Sequence, residues 1–201
     1  MNRILVFMLG LVWVINPIMA QTFVKDEVVT MLNRASELKQ DGNNTEAIKL
    51  FIEVGKQTEG LNNEEERQIY VFCQIMVSSC YFANKQYAEG YRLAKSLLMA
   101  SLNDEEKDFL YRQYVQNGYK LACDLIRHDA NDIADYKRAR ELLEELAPYA
   151  DEQLEGYVLP KIPQTWYSEG SLLYSNQMFD SMKQSFAVRD CFLLEGKGRG
   201  G

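Results

Sequence analysis

Apolar residues recur three and four positions apart along most of this chain, the spacing that builds one buried stripe on an amphipathic helix. Nothing alternates in the manner of a strand pair joined by a tight turn. Asp41-Gly42, a dipeptide that often closes a hairpin, lies between two helical patterns instead. Breakers divide the pattern into segments: Asp41-Gly42-Asn43, Asn62-Asn63, Asn84-Lys85, Asn103-Asp104 and 129–132 predict turns. Residues 148–163 carry Pro148, Pro160, Pro163 and Gly156 and predict a longer helix-to-helix connection; Pro160-x-x-Pro163 reads as a rigid joint more than as a polyproline ligand. The expected class is therefore all-α.

The segments echo one another. Leu61-Asn62-Asn63-Glu64-Glu65 returns as Leu102-Asn103-Asp104-Glu105-Glu106 at an offset of 41, and Tyr70 and Tyr111 match at the same offset. Each stretch ends a helix, supplies an Asn or Asp cap, and opens the next helix with acids that suit its positive end. A period near 40 built from helix pairs predicts an α-solenoid of about four antiparallel pairs. Units started at Val28, Val71, Tyr111 and Pro163 place Ala35, Ser78, Gly118 and Gly170 at the eighth position, all small enough for two helices to cross closely. The eleventh position holds Leu38, Tyr81, Leu121 and Leu173. The second helices place Ala47, Phe51 and Val54, then Gly90, Ala94 and Leu97, on one stripe. The third unit needs about nine extra residues before Tyr136, Ala139, Leu143 and Leu146 take the same places. An irregular helical bundle is the alternative arrangement.

This pattern resembles the tetratricopeptide repeat family. Trp166-x-x-x-Gly170-x-x-Leu173, followed by Phe179 and Phe186, carries the resemblance best, with Asn43-x-x-x-Ala47-x-x-x-Phe51 beside it. The likeness spans roughly residues 26–192. Arg34, Asn117 and Glu169 stand where the family is usually apolar, Met182 where it is usually small, and the units are longer than the family's. The implied units are about 26–60, 61–102, 103–150 and 160–195. The resemblance also implies an inner groove lined by four positions of each first helix: Val29, Leu32, Ser36 and Lys39; Phe72, Ile75, Ser79 and Phe82; Arg112, Val115, Tyr119 and Ala122; Gln164, Tyr167, Ser171 and Tyr174. The family's Lys and Asn clamp for a terminal carboxylate has no counterpart there. Phe72, Phe82, Tyr119, Gln164, Tyr167, Ser171 and Tyr174 are the candidate partner-binding residues. Phe72, Phe82 and Tyr119 have core packing as their competing role.

The N-terminus changes the picture of compartment. Arg3 precedes an apolar run of about twelve residues, Ile4 to Ile15, then Asn16-Pro17 and a small residue, Ala20, before Gln21. That layout predicts a signal peptide over residues 1–20 and a periplasmic or secreted mature chain. No later stretch approaches the roughly 20 apolar residues of a membrane span. Cys73, Cys80, Cys123 and Cys191 show no paired spacing, and Cys73 and Cys80 lie about 10 Å apart along one helix, beyond disulfide reach. They read as buried small apolar residues. Gly196-Lys197-Gly198-Arg199-Gly200-Gly201 predicts a disordered tail over 196–201.

Composition removes most chemistry. Of 201 residues, 29 are acidic and 22 basic, so a phosphate-neutralising face is not expected and nucleic acid is no partner. The one histidine, His128, reads as a helix C-terminal complement, and Glu64–Glu66 and Glu144-Glu145 as solvated faces. Neither nucleophile motif, phosphate loop nor metal-ligand spacing occurs, so no catalytic residue, cofactor or metal is assigned. Asn43-Asn44-Thr45 fits a glycan acceptor but reads as a turn. The sequence thus predicts a non-enzymatic, exported helical-repeat scaffold for protein–protein interaction. Two alternatives stand beside it. The chain is the ligand-sensing ectodomain fragment of a bacterial membrane receptor such as a sensor histidine kinase, or a hydrolase working through carboxylates across the groove.

Overall fold

The computed structural model describes residues 26–59, 64–100, 102–127, 132–176 and 178–197, with the backbone path alone at 179 and 191–197. The proposed signal segment, Asn62-Asn63, His128, Cys191 as a side chain and the last four residues lie outside what is described. Eight α-helices occur among the described residues, and no strand: α1 Asp26–Gln40, α2 Asn44–Thr58, α3 Glu64–Ala83, α4 Tyr87–Leu97, α5 Asp104–Leu125, α6 Ile133–Leu146, α7 Glu152–Ser175 and α8 Phe179–Lys197. The all-α expectation holds. Each helix packs on the helices before and after it in the chain, and α3 also packs on α5 and α5 on α7.

Local chemistry explains the helix starts. Asn103 caps α5 in a reciprocal box: its side chain accepts from Glu106 N, and the Glu106 carboxylate accepts from Asn103 N, both at 2.9 Å. Asp132 caps α6 through Ala134 N at 2.8 Å, and Asp151 caps α7 through Leu154 N at 2.9 Å.

The turns inside the helix pairs close in one way. Asn43 N donates to Leu38 O at 2.8 Å, Gln86 N to Tyr81 O at 2.9 Å and Met178 N to Leu173 O at 2.8 Å. In the first two turns a second, inner bond joins Gly42 N to Lys39 O and Lys85 N to Phe82 O. That pattern satisfies carbonyls the helix end leaves open and needs a left-handed residue. Gly42 takes it at φ +79°, Lys85 at φ +60°. The accepting residues Leu38, Tyr81 and Leu173 are three of the four large apolar residues aligned at the eleventh position of the sequence units. The third unit departs, as its extra residues require: α5 ends with Ile126 N on Ala122 O, one helical turn back.

The small eighth-position residues lie at the helix crossings. Ser78 Oγ donates to Gly90 O of α4 at 3.0 Å. A methyl group added to Gly118 would meet Leu146 of α6 at 2.7 Å, and one added to Gly170 would meet Phe186 of α8 at 2.5 Å. Ala35 and its α2 counterpart Ala47 are fully buried. Phe51, Val54, Ala94, Leu97, Ala139, Leu143 and Leu146 are buried on the second helices, as their stripes predict. Polar bonds between helices recur at a separation of 39 residues: Arg67 with Glu106, Asn84 with Thr45, Asn117 with Ser78, and Arg112 with Asp151.

Two expectations are corrected. Residues 148–163 are no extended connection: a short 3-10 turn, Ala147–Tyr149, leads into α7 at Glu152, and the helix runs on through Pro160 and Pro163. Each interior proline removes one helix bond. The Asp151 cap and the burial of Val158 and Ile162 hold the first half of the helix in register. The helix that carries Trp166 and Gly170 therefore begins some ten residues earlier than the spacing of prolines indicates. The tail boundary also shifts, since α8 includes Gly196 and Lys197.

Candidate functional site

Helix α7 carries a row of exposed tyrosines. Tyr157, Tyr167 and Tyr174 are 59%, 54% and 62% exposed. Pro160, Gln164 and Ser171 are exposed between them. These positions step along the helix by three or four residues, so they form one stripe, about 25 Å long at 1.5 Å per residue. The opposite side of the same helix buries Val158, Ile162, Thr165, Glu169 and Leu173.

Neighbouring rings brace the stripe. Tyr157 lies against Tyr119 of α5 with ring centroids 6.3 Å apart. Tyr167 lies 6.0 Å from Phe186 of α8, and the Arg189 guanidinium sits 5.8 Å from its centroid. Burial, with a hydrogen bond shared with the Cys123 thiol, pushes the Tyr119 phenol up to about 12.

Beneath the stripe a buried ion pair sets how α7 meets α6. Arg140 donates to Glu169 at 2.8 Å, the two side chains being 8% and 5% exposed. The Arg140 guanidinium carbon lies 3.3 Å from the centroid of the Trp166 ring. Stacking an arginine on an indole while its donors face a carboxylate satisfies both needs of a buried guanidinium. Glu169, polar where the repeat family is apolar, thus has a partner one helix away.

A second polar cluster ties α4, α5 and α6 together. The Glu145 carboxylate accepts from the hydroxyls of Tyr91 and Tyr114 and from the Lys95 ammonium. The Tyr91 and Tyr114 rings stack at 5.3 Å. Burial raises the Glu145 carboxyl, but the three donors outweigh it and leave the group below its usual value.

Of the seven sequence-predicted residues, the four on α7, Gln164, Tyr167, Ser171 and Tyr174, share the exposed stripe. Phe72, Phe82 and Tyr119 are half-buried. Phe72 packs edge-on against Phe51 of α2 at 6.3 Å, and Phe82 lies 5.6 Å from Tyr87. Ile75, Val115 and Ala122, placed in the groove by the family positions, are buried in the core. Tyr157 was not among the predicted residues, because the fourth unit was started at Pro163. Its signal is the spacing 157, 160, 164, 167, 171 and 174, visible once the helix is extended back through its prolines.

Three cysteines are free thiols, Cys73 and Cys80 being buried. Burial pushes Cys73 up to about 12 and Cys80 up to about 11, so neither is poised as a nucleophile. Among the described residues no group of three or more His, Cys, Asp or Glu side chains is arranged to hold a metal ion, and no helix is long and apolar enough to cross a membrane. A comparison of the chain with protein-family models, with curated proteins and with solved structures finds no match.

Proposed function

We propose that this chain is an exported helical-repeat scaffold that binds a protein or peptide partner along the tyrosine-lined face of α7 and performs no chemistry itself. The single observation carrying the proposal is the stripe of three half-exposed tyrosines on one helix. Tyrosine gives large contact area at small entropic cost, and its hydroxyl stays usable at a wet interface. Such a row suits an extended or helical partner segment. The repeat reading draws support from the bonds recurring at 39 residues and from the same outer turn bond made onto Leu38, Tyr81 and Leu173.

The test compares the protein with the variant Tyr157→Ala/Tyr167→Ala/Tyr174→Ala. Each is used to capture partners from the envelope fraction of the source cells. A partner retained by the natural protein and lost by the variant, with stability changed by no more than about 1–2 kcal/mol, is the expected result. That bound lies below the roughly 3–5 kcal/mol for truncating a buried aromatic. Equal capture by both, or unfolding of the variant, refutes the assignment of this face. Export is tested separately: N-terminal sequencing of exported protein should begin at Gln21.

A further inference from the structure

A second feature lies between α5 and the start of α7: a cleft of about 520 Å³, lined by Asp108, Tyr111, Arg112, Tyr149, Asp151 and Leu154 among others. Tyr111 and Tyr149 lie in its wall. Tyr149, 40% exposed, has its ring centroid 5.2 Å from that of Tyr111 and 5.5 Å from that of Tyr114. Its charges are unequally committed. One Asp151 oxygen accepts from Leu154 N at 2.9 Å and the other from Arg112 at 3.1 Å. Arg112 is therefore paired within the wall. Asp108, one helical turn before it, is exposed and has no ion pair among the described residues. The surrounding first turns add Asp104 and Glu105 on α5 and Glu152 and Glu155 on α7, while Lys107 is paired with Asp104 at 3.5 Å.

We infer that this cleft is a socket for a cationic side chain, arginine or lysine, of a bound peptide. An unpaired carboxylate beside two tyrosines attracts a cation by charge, the rings add polarisable surface, and the apolar stem of arginine or lysine has Leu154 to lie against. An anion has only Arg112, already taken, and faces a field of like charge. The inference rests on the reading above for the source of the cation, because Tyr157, on the next turn of α7, begins the proposed partner face.

The experiment needs no partner. N-acetyl-arginine methylamide is titrated into the protein at low salt while the ring resonances of Tyr111 and Tyr149 are followed by NMR. Saturable shifts of both, with a dissociation constant in the millimolar range, are expected. N-acetyl-norleucine methylamide, the uncharged counterpart, should bind at least about tenfold more weakly. Guanidinium ion alone should also be weaker, since it lacks the stem and backbone of a peptide residue. Asp108→Asn should weaken the arginine probe about fivefold. Arg112→Gln frees Asp151 and should tighten binding of the arginine probe; weaker binding overturns the inference. Equal binding of arginine and norleucine probes, or guanidinium ion binding as well as the arginine probe, overturns the inference. So does saturable binding of inorganic phosphate that Arg112→Gln abolishes. Arginine binding here with no partner lost from the α7 variant leaves the socket standing and refutes the partner face; the reverse outcome refutes the socket.

Discussion

Two glycines of α7 make a controlled pair. Gly170 faces α8, and a methyl group there would lie 2.5, 2.8 and 2.9 Å from three atoms of the Phe186 ring. Gly156, on the same helix, has nothing within 4 Å of its would-be methyl group. Replacing either by alanine removes the same backbone entropy from the unfolded chain and gains about 1 kcal/mol of helix propensity. Gly156→Ala should therefore stabilise the protein by about 0.5–1 kcal/mol. At Gly170 the ring must turn or α8 must back away, and overpacking of this kind costs about 1–3 kcal/mol. Its ring neighbour Tyr167, 6.0 Å away, limits how far Phe186 can swing. The difference between the two variants isolates the contact: about 2 kcal/mol, or some 4–8 °C in melting temperature for a chain of this size. Thermal unfolding followed by circular dichroism measures it. In a Phe186→Ala background the difference should vanish, since the atoms that clash are gone. Gly170→Ala stabilising as much as Gly156→Ala would refute the close approach of α7 and α8, and with it the orientation that leaves the tyrosine stripe exposed.

Three further expectations use the same assay. Lys85 pays for a left-handed backbone that Gly42 adopts freely, so Lys85→Gly should stabilise by about 0.5–1 kcal/mol while Gly42→Ala destabilises by about as much; opposite signs are required. Glu169→Gln should cost about 3–5 kcal/mol by leaving Arg140 buried without its counter-charge, whereas Arg140→Met with Glu169→Leu should fall within about 1–2 kcal/mol of the natural protein. Glu145 titrates below its ordinary value of 4.5 when folded, so its contribution is present above that value and is lost as pH falls through the lower, folded-state value. Glu145→Gln should accordingly lower stability at neutral pH by about 1–2 kcal/mol and flatten the acid limb of the stability profile, and an unchanged limb would exclude the Tyr91–Lys95–Tyr114 cluster as its cause.

The helical content and the crossings were legible in the sequence because both are set by side-chain size at fixed spacing. Ala35, Ser78, Gly118 and Gly170 could be aligned without coordinates, since only a small residue lets two helices meet. The aligned Leu38, Tyr81 and Leu173 even mark where the helix ends close, although nothing in their apolar character says that their carbonyls accept the closing bonds. Proline misled the placement of the fourth unit. Its missing N–H is a local penalty, and on that ground alone Pro160 and Pro163 read as breakers. The sequence does not display the opposing energy from Val158 and Ile162, which are buried against other helices. That one shift explains why the pattern omits Tyr157 while Tyr167 and Tyr174, the fifth and twelfth positions counted from Pro163, fall on an exposed face.

Polar groups were the least legible, for a different reason. A buried charge is tolerable only with its partner, and the partner stands on another helix. Glu169 announced itself as an acid in an apolar slot, but Arg140 is 29 residues away, in a stretch where charged residues are common. The same holds for Glu145, whose donors come from positions 91, 95 and 114. The cleft beside Tyr149 depends on such commitments most of all. Arg112 alone would make it attractive to anions; Arg112 spent on the cap residue of α7 makes Asp108 the charge that remains. Its sign is therefore a property of packing, set by which first turn of which helix comes to rest beside α5. Moving α7 by one turn along α5 would uncouple Arg112 from Asp151 and weaken the preference for a cation.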